Sequence, residues 1–163
     1  MSELTDIMDE LLANLVREVD PGETFCARTL LPGAAVFAEY LATENQCTGM
    51  LWVRLASANL TANFPNADVR AGQCNYSLAT PLEVGVLRQA PKIQVTMNRP
   101  LMLPTNAQQT EATHLQIEDM EAMRRAIFRT VRGYDDYLLG SYTPVGPEEG
   151  IFGGSWTVTV GVD

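Results

Sequence analysis

One histidine, three cysteines and the acidic pairs Asp135-Asp136 and Glu148-Glu149 are the positions from which this chain would have to build a reactive site. His114 is the sole imidazole, so nucleophilic catalysis requires it to meet a cysteine or a serine. Cys74 with His114 is the one pairing that can be drawn, and no nucleophile-elbow motif backs it. Cys26, Cys47 and Cys74 are far apart and odd in number, with no CxxC pair, and His114 has no second histidine four residues away. A zinc site needs closely spaced ligands. No metal is therefore expected, and the cysteines read as small reduced hydrophobes. Asp135-Asp136 and Glu148-Glu149 carry charge suited to acid–base work, but adjacent residues on extended chain point apart. Both pairs sit beside turn signals and read as solvated loop charge. The run GPEEGIFGG lacks the lysine and following helix of a phosphate cradle. The expectation is no catalytic residue and no cofactor.

Arg124, Arg125, Arg129 and Arg132 form the one charged row with a partner-binding flavour. They fall late in a helix expected over about 117–132, where positive charge suits the dipole, and Glu121 is expected to pair with Arg125 one turn on. Three readings stand: a solvated helix face, a surface for the acidic face of another subunit through planar salt links, or a duplex-binding stripe. A net charge of −9 works against the last, because a grip on phosphate needs a concentrated basic surface. It disfavours an anionic membrane surface for the same reason.

These residues must be positioned by a single domain, 1–163. A chain of this length buries roughly 68–70% of its unfolded surface, enough for a core without staples. With 46% apolar and 19% charged residues it is ordinary globular material, so wholesale disorder is not expected. The first residues lack a basic stretch followed by an apolar run, so no secretory signal is expected. No apolar run reaches membrane-spanning length, and the expected setting is a reducing cytoplasm. Leu4, Ile7, Met8, Leu11, Leu12, Leu15, Val16 and Val19 trace one face of an N-terminal helix, with Ser2 as cap and Asp20-Pro21-Gly22 as stop. Strands are expected at 24–31, 50–58 and 74–88. Arg54 is expected on the wetter face of the second, and Pro81 implies an edge or a bulge in the third. From Gln89 to Leu115 runs a long connection whose apolar residues, among them Ile93, Met97 and Leu101, suit docking onto a partner or a neighbouring copy. Tyr142 to Phe152 reads as turn-rich, and Trp156, Val158, Val160 and Val162 alternate with Thr157, Thr159 and Gly161 as a half-buried terminal strand. Strand order and direction stay open at this point.

Four blocks carry a family resemblance: GMLWVRLASANLTANFP (49–65), PLEVGVLRQAP (81–91), AMRRAI (122–127) and YTPVGPEEGIFGGSWTVTV (142–160). Together they resemble tail terminator proteins of long-tailed bacteriophages that infect actinobacteria, over about two thirds of the chain. The Gly-Gly-x-Trp-Thr-Val-Thr-Val block is the most specific part. The resemblance implies an α+β domain with an N-terminal and a second helix packed on a mostly antiparallel sheet. The order helix, strands, helix, strands agrees. It also implies a homo-hexameric ring that caps the major tail tube protein, docks it to the head–tail connector or stopper, and lets genomic DNA pass without sequence-specific binding. The expected location is the virion head–tail junction, reached from the host cytoplasm, with no membrane partner. Ring contacts made head to tail need two different surfaces per subunit. The candidates are the apolar 93–103 connection and the arginine row for one, and the region from Tyr142 to Phe152 for another. The alternatives are a stopper or adaptor of the connector, which also forms rings, and a small soluble enzyme or binding protein, which would need a discrete polar pocket.

Overall fold

The structure, a computed structural model, describes residues 3–32, 48–66, 76–91, 103–148 and 150–162. In chain order the elements are α1 (Glu3–Val19), β1 (Ala27–Leu31), β2 (Gly49–Leu55), β3 (Asn59–Thr61), β4 (Ser77–Gln89), α2 (Asn106–Val131), β5 (Tyr137–Glu148) and β6 (Ile151–Val162). α1 forms as its spacing predicts: Ile7, Leu11 and Leu15 are fully buried. Glu3 and Asp6 stand at its positive end and Arg17 at its negative end, each where the helix dipole favours it. Its expected cap, Ser2, lies outside the described residues.

The six strands form one sheet in the order β1-β2-β4-β6-β5, with β3 beside β4. β1 runs parallel to β2 and every other neighbour is antiparallel, so the fold is α+β with a mostly antiparallel sheet. Period-two alternation sends Leu51, Val53, Leu82, Val84, Val86, Val158, Val160 and Val162 to one face. There they meet Ile7, Leu11 and Leu15 of α1 and Met123, Ile127 and Val131 of α2. Each such side chain contributes roughly 1.5–3 kcal/mol when fully buried. The terminal strand is therefore part of the core.

The other face of the sheet is drier than alternation suggests. Met50, Trp52 and Leu87 cluster there, and the indole of Trp52 occupies the space beside Gly85, where a Cβ would stand 2.0 Å from the ring. Arg54 lies on this face, the wetter of the two as expected, and pairs with Glu83 directly across the ladder, where their side chains are 16% and 17% exposed. Pro81 does not mark an edge, since β4 is central. It sits just past the last β2–β4 pair, Leu55 with Leu82, and its carbonyl accepts from the Ala56 N–H. Its ring nitrogen faces the same side, beyond the ladder, so no donor is lost.

Two further expectations change. The second helix begins at Asn106, eleven residues before the expected start at 117, opened by a capping box in which Thr105 and Gln108 satisfy each other's backbone N–H. The stretch from Tyr142 to Phe152 is mostly strand: β5 and β6 are the arms of a long hairpin. The Gly153-Gly154 pair belongs to an arm, and Gly154 leaves room for the Tyr142 ring, whose hydroxyl would lie 2.3 Å from an added Cβ. Cys26 is disulfide-bonded, which corrects the reading of the cysteines as reduced. Its partner, like Cys47 and Cys74 themselves, lies outside the described residues.

Candidate functional site

The arginine row takes its geometry from the packing of the two helices. Glu18 of α1 lies beside Arg125 and Arg129, and Asn14 donates to the Thr130 hydroxyl at 2.9 Å. Tyr134, just past α2, lies in the field of Glu10. Residue numbers thus run in opposite senses, and the helices are antiparallel. Arg125 Nε reaches one Glu18 oxygen at 3.0 Å and an Arg129 Nη reaches the other at 2.8 Å. Glu121 pairs with Arg124 at 2.8 Å, not with Arg125. The three arginines are held in place within the chain, yet their side chains remain 43–54% exposed. Arg132 is exposed at the end of α2. Glu18 escaped the sequence reading because it counts as one more polar position on an amphipathic helix; only the crossing of α2 gives it a role.

The hairpin residues are committed inward. Phe152 is 5% exposed. Tyr142 stacks at a tilt on Trp156, centroids 5.7 Å apart, and its hydroxyl donates to the Gly153 carbonyl at 3.1 Å. Burial and then the charge of Asp119 push the phenol up to about 12, against a hydrogen bond from Gln116. The apolar side chains that β5 does present to solvent are Tyr137, Leu138 and Val145, which sequence reasoning passed over because Gly and Pro dominate that stretch. Ile93, Met97 and Leu101 lie outside the described residues.

α2 is tied to the sheet at three points. Arg88 of β4 and Asp119 make a two-point ion pair at 2.6 and 2.8 Å, with the guanidinium also over the Phe25 ring. Trp156 Nε1 donates to the Met120 carbonyl at 3.0 Å. Gln116 donates to the carbonyls of Val145 and Gly153. The first half of α2 borders a cleft of about 720 Å³, with Gln109, Thr113 and Gln116 on one wall and Pro147, Gly150 and Phe152 on the other. None of the described residues that line it is ionisable, so its chemistry is hydrogen bonding and apolar contact. A smaller recess beside it contains Arg88 and Glu111. His114 is exposed on α2, and Asp135 and Asp136 are exposed at a bend. Among the described residues no group of three His, Cys, Asp or Glu side chains is placed to hold a metal ion, and no helix is long and apolar enough to cross a membrane. No protein-family model matches the chain, and no curated protein matches it.

Proposed function

We propose that this chain is a structural virion protein, a tail terminator that closes a phage tail tube as a hexameric ring and joins it to the head connector. One observation carries the reading. The four blocks that resemble tail terminators coincide with one continuous framework: 49–65 spans β2 and β3, 81–91 most of β4, 122–127 part of the buried stretch of α2, and 142–160 most of the β5–β6 hairpin. Residues far apart in sequence thus share one sheet and the helix clamped to it by Arg88, Trp156 and Gln116. The rest of the reading belongs to the same proposal. Geometry and surface fit do the work, self-association is head to tail, and the net charge of −9 suits a wall past which DNA slides without being gripped.

The test is to mix the purified chain with phage tail tubes and image the tube ends. The expected outcome is a collar of six subunits with an open channel at one end of each tube. Bare ends on every tube, at chain concentrations well above that of the tubes, contradict the proposal.

A further inference from the structure

Solvent-facing positive charge is confined, among the described residues, to the two-helix layer. Arg28, Arg54 and Arg88 are largely buried and paired with Asp20, Glu83 and Asp119. Arg17, Arg124, Arg125, Arg129 and Arg132 all belong to α1, α2 or its cap. The same layer carries the opposite charge at the start of α1, which the antiparallel packing sets at the Tyr134 end of α2, with Arg124 and Arg125 toward the other end. Glu3, Asp6, Asp9 and Glu10 are exposed in the first turns of α1, and no ion pair links them to a described residue. From Asp6 to Glu18, the anchor of the arginine row, is twelve residues of helix, about 18 Å at 1.5 Å per residue. That exceeds the Debye length of about 8 Å at physiological salt. Asp6 is therefore screened from Arg125, the partner of Glu18, within one molecule, whereas Arg132 lies at the acidic end of the layer.

Resting on the ring reading above, we infer that the arginine row at Arg124, Arg125 and Arg129 is a subunit contact whose partner is the acidic start of α1 in a second copy of this chain. Two different patches on one subunit meeting in trans make a head-to-tail contact, the kind that closes rings. The arginines suit the task because Glu18 and Glu121 already fix their side chains, so little freedom remains to be lost on contact. Charge placed this way sets register and excludes the reversed arrangement more than it adds affinity.

The test is a reciprocal charge swap. One variant carries Asp6→Arg and Glu10→Arg; the other carries Arg124→Glu and Arg125→Glu. Sedimentation measures self-association, and thermal melting checks that each variant folds; if the second does not, Arg124→Gln with Arg125→Gln replaces it as a charge-removing variant. Each reversal variant alone is expected to associate at least about tenfold more weakly than the native chain, and an equal mixture to recover native association by alternating. The neutral variant is expected to weaken association less than reversal. Native association is also expected to fall as salt rises from about 0.05 M to about 0.5 M. Folded variants that associate like the native chain, or a mixture that recovers nothing, overturn this contact and leave the ring reading standing. A native chain that never self-associates overturns both.

Discussion

At Asp20 a single buried carboxylate organises the turn between α1 and β1. It is 3% exposed and accepts from the backbone N–H of Thr24 and of Phe25 and from the Thr24 hydroxyl, each at 2.8 Å, with Arg28 at 3.4 Å. Burial works to raise its pKa, but those donors and the guanidinium outweigh it and hold the carboxyl below its usual 3.8. A carboxyl whose folded value is depressed stabilises the protein above the unfolded value and loses that contribution as pH falls through the folded one. Chemical denaturation is therefore expected to show the midpoint steady near neutrality and dropping below about pH 4. In Asp20→Ala the acid-dependent part of that drop should shrink. The substitution itself should cost about 2–4 kcal/mol, because it strands buried donors. A variant as stable as the native chain would show that water replaces the carboxylate. The sequence displayed Asp20-Pro21-Gly22 as a helix stop; the ring of donors around the carboxylate depends on how residues 23–25 turn back.

For the elements, hydrophobic period was the legible signal and its gaps were the blind spots. α1, the second half of α2 and the terminal strand all show an apolar face, and all three stand where that face predicts. The first half of α2, NAQQTEATHLQ, has no apolar stripe because it packs against little, and only Thr105 with Gln108 announced it. β5 stayed hidden because Pro144, Gly146 and Pro147 read as turns, although they occupy an outer strand whose free side needs no ladder donors. The second face of the sheet was invisible as well: alternation marks two faces but cannot say that Trp52 covers Gly85. What locks α2 to the sheet is long-range and polar. Asp119→Ala leaves the largely buried Arg88 guanidinium without its carboxylate and is expected to cost about 3–5 kcal/mol, with the Arg88→Met, Asp119→Leu double variant recovering much of that. Thermal unfolding distinguishes the outcomes, and a single variant within experimental error of the native chain would remove the pair as the clamp.

On the scale of the whole molecule, the described residues set two antiparallel helices on one face of a sheet, with the exposed arginines all in that helical layer. The candidate interface was half legible. The arginine row could be read from spacing, whereas its anchoring by Glu18, its distance from the acidic start of α1, and the inward commitment of Tyr142 and Phe152 are products of packing. The cleft between α2 and the hairpin was not legible at all, since its facing walls on α2 and on the hairpin come from residues thirty or more apart in the chain. The central claim is that the chain works as one member of a closed ring, and its mass in solution tests that most directly. Native mass spectrometry over rising concentration, alone and with tail tubes present, is expected to reveal a species of six chains of 17.9 kDa, about 107 kDa. A mass of one chain, 17.9 kDa, under every one of those conditions would contradict it.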